Sequence, residues 1–557
     1  MDMEKREGMT PQPQPAPSFP VTPPPVMRPV APVWTPKPLF PLTGGDTAFA
    51  LLAVAACVFT VLAGVFGGFA LGYALSVPVM ILLLCCYFAK GSQGWLPALP
   101  YGLLALAIGS VFVCTSNGAV RFFAVVIGFL LALVCYDTLR HGSVRGNRPT
   151  LGIFFAAGSS LEHIDVAAKS LFSNRDGEKK TLGKVLVGLL CALPVLLVVV
   201  PLLISSDEAF KGLMTQLFSR SFVTILKSLL GVALAVLVIT YGFSLKHERV
   251  SRLKDSTFAG IENAYIISFL SAIGVCYLLY LFSQLAYFFS AFRGFLPDKE
   301  ITYAQYARKG FFEMCVIAVI NLVLVFLALA LAKKKAGKVC HGIKALTTFI
   351  ALFSLVIIAT ALSKMVLYIS AYGMTVLRLG TSAFMVLLTV VFLGVILRIY
   401  IRKINVVKTA LLTAGCVVLV LGVGNVDAVC ARYNYTCYQT KRLEKIDVQA
   451  LYQLGDEGIP YLIKLTGDDA AEVASQAQYY LARVYLQDYF EDMPQDESFT
   501  IKDLQKQQKN KGIMHFSIPR QIAYRELYRA IQENPHFGLM APQLVEHGWI
   551  GYEEDLL

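Results

Sequence analysis

Charge is what this chain has least of. Only 15% of its 557 residues are Asp, Glu, Lys or Arg, against about 25% in an ordinary soluble domain, while 56% are hydrophobic. A water-facing fold cannot hide that much apolar surface, which excludes a soluble enzyme. Histidine is scarce too, at 7 residues. The four in the apolar region, His141, His163, His247 and His341, all fall between apolar runs, so a membrane acyltransferase with an intramembrane His base has no candidate. A lipid-linked glycosyltransferase with acidic residues in its first outer loop has none either.

Nucleotide, metal and protease signatures are also missing. A phosphate loop needs Gly, four residues, then Gly-Lys-Ser/Thr. The nearest match, Gly177 to Gly183-Lys184-Val185, has one residue too many and no hydroxyl. A zinc peptidase helix needs a second His four residues after the first, where His247-Glu248 is followed by Ser251. Tyr136-Asp137 ends an apolar run without the Gly-x-Gly-Asp partner of an intramembrane aspartyl protease. No catalytic residue, metal site or cofactor is expected, and the protein is read as a non-enzyme.

Of the 12 cysteines, nine lie in apolar runs, where Cys behaves as a small hydrophobe. Cys430 and Cys437 lie beyond the last run. On one continuous helix they stand about 10 Å apart, too far for a disulfide. A bridge requires the helix to break near Asn434.

What the chain does have is long apolar runs. Eleven, each of about 20 residues and so long enough to span a bilayer, start near Thr47, Phe69, Leu96, Ala119, Leu182, Phe222, Ile261, Phe311, Ile343, Ser382 and Val406. The first cut is the weakest, because residues 47–88 carry no charge and are split only by Gly67-Gly68 and Pro78. A tight helical hairpin is expected there, though a single merged span is the alternative. The fold class is therefore all-α: a polytopic transmembrane bundle, residues 46–430, with the bilayer as its solvent.

Positive charge gathers in cytoplasmic loops. Loops after spans two, four, six, eight and ten hold about 21 Lys and Arg, including Arg140, Lys246, Arg249, Lys333 and Lys403, and the opposite set holds about 8. This places the N-terminus inside and the C-terminus outside the cytoplasmic membrane. It also explains the net charge of +12 without a nucleic-acid partner. Residues 441–557 carry 12 basic and 19 acidic side chains, a net of −7, which leaves +19 on the rest.

Residues 1–45 contain 13 of the 25 prolines. They read as a disordered, polyproline-type cytoplasmic tail, with PxxP spacings such as Pro17 to Pro20 that suit a protein partner. Residues 431–557 read as a small, acidic, helical extracytoplasmic domain. Val473, Ala477, Leu481 and Val484 recur at helical spacing, as do Ala523, Leu527 and Ile531, and Ser517 with Pro519 marks a helix start.

Ionisable groups inside a span cost at least about 2.5–3.5 kcal/mol each and need a reason. Glu313 and Asn321 fall in the eighth span at a spacing of eight, close to two helical turns, which is expected to put them on one face with Ile317 between, and Lys364 falls in the ninth. Antiparallel neighbours bring Glu313 and Lys364 together toward the outer leaflet. One reading is an outward-opening polar site, with Arg308 or Arg378 beside it, suited to a proton, an ion or an anionic head group. The other is a buried ion pair that locks two helices. Around the same rim Tyr277, Tyr280, Tyr287, Tyr368 and Tyr372 read as an interfacial aromatic belt. On the cytoplasmic side Leu161, Ile164, Ala168 and Leu171 read as an amphipathic stretch lying on the leaflet.

Three segments carry a resemblance. Tyr306-Ala307-Arg308-Lys309-Gly310-Phe311-Phe312-Glu313 with Asn321-Leu322, Tyr372-Gly373-Met374-Thr375-Val376-Leu377-Arg378, and Asn425-Val426-Asp427-Ala428 running into Ala431-Arg432-Tyr433-Asn434 resemble a bacterial multi-pass membrane family, domain of unknown function 4173, within the wider 4153 group. The resemblance runs from Arg140 to about residue 470. It implies a bacterial envelope membrane protein, singles out Arg308, Glu313 and Arg378, and lends no activity. Two functions fit: a protein that translocates or senses a small ligand through the outward polar site, or an envelope scaffold that binds partners through its outer helical domain and Pro-rich tail. The threading predicts that cysteines placed at Lys333 to Lys335 are labelled by a membrane-impermeant maleimide only after the cell is opened.

Overall fold

A computed structural model describes residues 39–89, 94–142, 147–172, 199, 220–249, 261–293, 311–333, 339–401, 403–489 and 513–533. Among these residues ten helices are long and apolar enough to cross a membrane. They are built on α1 (Gly44–Phe59, extended by a π-turn over Thr60–Val65), α2 (Leu71–Ala89), α3 (Trp95–Ile108, extended through the turn Val111–Cys114), α4 (Gly118–His141), and, after two short helices α5 (Asn147–Ser160) and α6 (Ile164–Phe172), α7 (Arg220–Lys246). The series continues with α8 (Asn263–Arg293), α9 (Phe311–Leu331), α10 (His341–Tyr372), α11 (Val376–Tyr400) and α12 (Val406–Val423). Large apolar side chains such as Leu52, Leu96, Phe122, Phe129, Phe282 and Val420 stay more than half exposed on these helices, the surface that a multi-pass protein offers to lipid.

The expected spans thus appear, except the one near Leu182, which lies outside the described residues. The charge-free stretch 47–88 is a hairpin of two spans. Gly68 turns it at φ +77, and a Cβ on Gly72 would meet the Ala63 carbonyl oxygen at 1.7 Å, so only glycine lets the two arms approach this closely.

Contacts sort the helix ends onto two faces. One, the base, holds the start of α1 and the ends of α2, α4 and α7: Gly94 N–H donates to Leu139 O at 3.3 Å and Arg140 to Lys246 O at 3.1 Å. Farther along, Ile261 N–H donates to Leu331 O at 2.8 Å, Thr348 meets the Tyr400 hydroxyl at 3.2 Å, and Asn405 donates to Thr150 at 2.7 Å. The base therefore collects the basic loops, as alternate loops of an alternating bundle must be collected. On the two sides of the stretch 173–219, α6 stands at the base, where Ser170 accepts from Phe40 N–H at 2.8 Å, while Lys227, near the start of α7, lies over the Phe66 ring of the opposite face.

The bundle has two packed halves. Helices α1 to α4 and α7 share one core around Phe88, Phe112, Leu131 and Phe243, and α8 to α11 share others around Phe392, Ile358, Ile350 and Leu270. Helix α12 joins them by packing on α3 and α4 on one side and α11 on the other. At the base, Val166, Ala167 and Ser170 of the lateral helix α6 turn inward and Leu161 stays exposed. The side chains of Ala168 and Leu171 lie outside the described residues.

Over the opposite face sits a cap. After a left-handed Asn425 (φ 48) the chain runs through α13 (Val426–Gln439), α14 (Val448–Gln453), a 3-10 turn (Gly455–Glu457), α15 (Ile459–Leu465), α16 (Ala471–Tyr489) and α17 (Ile518–Glu533). Leu451, Leu462, Leu465, Ala477, Leu481, Ala523 and Leu527 form its core, so the helical periodicities at 477–481 and 523–527 face inward as expected. The side chains of Val484 and Ile531 lie outside the described residues. Helix α13 does not break at Asn434, and Cys430 and Cys437 are both free.

The base is pinned by a carboxylate. Asp46, fully buried, accepts from Thr43 N–H and the Thr43 hydroxyl, both at 2.7 Å, from the Tyr87 hydroxyl at 2.6 Å, and pairs with the Lys246 ammonium. Tyr87 in turn stacks on Phe49 at 3.9 Å. Removing one partner of a buried pair strands the other. Asp46→Asn is expected to lower stability by about 3 kcal/mol, read as a drop in thermal midpoint in detergent, and Asp46→Asn with Lys246→Met to restore most of it.

Candidate functional site

Of the residues singled out at the rim, Arg308 lies outside the described residues; of the other four, Asn321 and Arg378 hold helices and a turn, while Glu313 acts electrostatically on Lys364. Glu313, in the first turn of α9, is exposed, whereas Asn321 is fully buried. The expectation that they share a face fails because eight residues overshoot two helical turns by about 80°. Asn321 instead ties three helices at mid-depth. It accepts from the Tyr277 hydroxyl of α8 at 2.5 Å and donates to Ser354 of α10 at 2.9 Å, and Ser354 donates to Ile350 O at 2.8 Å. Tyr277 is thus no belt residue: its ring stacks on Phe353 at 4.1 Å. The side chain of Tyr287 lies outside the described residues.

Arg378 closes the turn between α10 and α11. Its guanidinium donates to Tyr372 O at 3.1 Å and to Gly373 O, and lies 4.0 Å over the Tyr368 ring. The same turn is held from the cap, because Asn434 accepts from Met374 N–H and donates to Met374 O, both at 2.7 Å. Gly373 is required here: its φ is +79, and a Cβ would meet Asn434 Oδ1 at 2.6 Å. Two segments far apart in sequence, Tyr372 to Arg378 and Ala431 to Asn434, are therefore the two halves of one joint.

Lys364 is buried, only 8% exposed, in the cap half of α10 and feels the charge of Glu313. The pair sets an enclosed ammonium beneath an open carboxylate, an arrangement able to attract an anion or pass a proton.

Sequence reasoning missed two further sets of buried charge. At the base, Asp137 is 1% exposed, lies 3.4 Å from His141 and acts electrostatically on the buried Lys408 of α12, whose ammonium lies 5.6 Å over the Tyr101 ring. Burial also holds the His247 imidazole below its ordinary value, with Asp46 opposing. At the cap, Asp427 and Glu457 are 3% and 4% exposed. One signal was available: Thr43-x-x-Asp46 before an apolar run is a capping pattern. Lys408, Asp427 and Glu457 leave no such mark. Among the described residues no group of three His, Cys, Asp or Glu is placed to hold a metal ion.

A family model for a domain of unknown function, DUF4153, matches residues 39–465. The chain belongs to the DUF4153 family. No curated protein and no solved structure matches it. The DUF4153 region takes in all ten described spans and ends on the last residue of α15, so it includes the joint at Asn434 and both cap carboxylates, and excludes α16 and α17. Asn434→Ala strips two hydrogen bonds from the backbone of one residue, Met374, about 1 kcal/mol each. It should leave the spans folded and speed hydrogen exchange at the Met374 amide by at least about tenfold.

Proposed function

We propose that this DUF4153 protein is a non-enzymatic component of the bacterial cytoplasmic membrane that senses or translocates a small ligand at its cap face, near Glu313 and Lys364. The observation that carries this reading is the burial of Lys364 while the carboxylate attracting it stays open at the rim. An ammonium enclosed at this depth is expensive, and a pair serving only to lock helices would bury both partners. Asn321 and Arg378 are engaged in hydrogen bonds that hold helices and a turn.

The basic loops gather at the base, which supports a cytoplasmic base and N-terminus and an extracytoplasmic cap and C-terminus. The segment from Tyr306 to Glu313 further supports a place in the 4173 subgroup. A second reading, an envelope scaffold, is favoured by the cap's firm seat on the bundle and by the Pro-rich tail at the other end of the chain, each offered to a protein partner.

The test is proton flux into proteoliposomes loaded with a pH-sensitive dye. Glu313→Gln and Lys364→Met are each expected to reduce flux at least about tenfold while the protein keeps its elution volume and helicity. Unchanged flux in both folded variants sinks the site. Flux restored by the charge-swapped pair Glu313→Lys with Lys364→Glu marks a structural ion pair and favours the scaffold.

A further inference from the structure

The cap is seated on the span bundle by two buried carboxylates that grip a single turn. Ser116 and Asn117 link the third and fourth spans. Glu457 Oε1 accepts from Ser116 N–H at 3.0 Å, and Oε2 accepts from the Ser116 hydroxyl. Asn117 Nδ2 donates to Asp427 Oδ1 at 2.9 Å. The Asn117 amide has no freedom to turn around, because its oxygen caps α4 by accepting from Val120 N–H at 2.9 Å. Next to it Arg121 donates to three carbonyls, Thr115 O at 2.9 Å, Phe112 O at 3.2 Å and Gly68 O at 3.3 Å, which stiffens the surface against which the cap docks.

We propose that Asp427 and Glu457 form an acid-tightened latch: uptake of one proton between them strengthens the grip of the cap on the Ser116–Asn117 turn, and its loss loosens it. The charges at this seat are unequal. Asp427 from α13 faces Glu457 from the 3-10 turn, with Asp456 beside it; Arg121 of α4 and Arg520 of α17 are the cations, the latter paired with Asp456 at 3.4 Å. Cys430, one turn along α13, is a further titratable neighbour, and the His515 ring lies against Gly68, whose carbonyl Arg121 holds. Among the described residues three carboxylates thus meet two guanidiniums, and a single proton removes that excess negative charge.

Asp427 is where the proton goes. Burial pushes its carboxyl up to about 6, against the hydrogen bond from Asn117, and the charge of Glu457 adds to the rise. The value in the docked state lies above the ordinary 3.8, so docking is strongest at low pH and weakens as pH rises through about 6. A protonated Asp427 keeps an oxygen to accept from Asn117, so the latch gains relief from repulsion without losing a bond.

Hydrogen exchange at the Ser116 amide, which Glu457 accepts, reads the latch in the full chain in nanodiscs. After correction for the chemical exchange rate, protection is expected to rise about tenfold from pH 7.5 to pH 5, as a group moving from 3.8 to about 6 requires. Asp427→Asn should stay protected across that range. Glu457→Gln keeps an acceptor for Ser116 and removes the neighbouring charge, which should move the midpoint to lower pH. Protection independent of pH in the native chain overturns the latch, as does an undiminished step in Asp427→Asn. Should that variant fail to fold, an unmoved midpoint in Glu457→Gln overturns it equally.

Discussion

A polar group that enters hydrocarbon has to bring its partner with it, and the architecture of this protein follows from where those partners are found. At the base, Asp46 meets Lys246, 200 residues away. At mid-depth, Asn321 meets Tyr277 and Ser354 on two other helices. At the cap, Asn434 meets the Met374 peptide and Glu457 meets Ser116. Apolar contacts between spans are poor at choosing neighbours, because lipid tails are as apolar as leucine. Hydrogen bonds and charges are selective, and here they join segments remote in sequence at every level of the bundle.

This makes the cap part of the membrane body. Helix α13 begins one turn beyond the last span and immediately supplies Asp427 to the turn between the third and fourth spans and Asn434 to the turn between α10 and α11. Those two turns belong to the two packed halves that α12 joins. One short helix therefore bridges both halves, and a change in its seating is felt by both. The DUF4153 region stops at Leu465, after α15 and before the helices that close the cap's core, a boundary that groups α13 and the turn carrying Glu457 with the spans they hold.

The distinction between Arg378 and Lys364 is instructive for reading polar residues in membranes. Both are cations near the cap end of α10 or α11. Arg378 reaches carbonyls at 3.1 Å and an aromatic face at 4.0 Å, using the planar fork that suits arginine to such sites. Lys364 carries its charge within the bundle toward Glu313. Residue type and position alone treat them as equals, whereas the geometry of the α10–α11 turn separates a clamp from a candidate site.

Whereas the hairpin over 47–88, expected there beside a single merged span, was settled by the fold, the helical class, the approximate starts of the described spans and the alternation of basic loops were legible in the sequence alone. Each depends on a one-dimensional quantity: the length of an uncharged run against the thickness of a bilayer, or the parity of a loop. The inward faces of the cap helices at Ala477, Leu481, Ala523 and Leu527 were legible for the same reason, since periodicity is local. The parting of Glu313 from Asn321 was likewise in the helical period, about 80° past two turns, but only the tertiary structure decided that Tyr277 turns inward and that Lys408, Asp427 and Glu457 are buried. Burial of a charge is set by what packs over it, and for Glu457 that is a turn 341 residues away, a relation that no run length or period records.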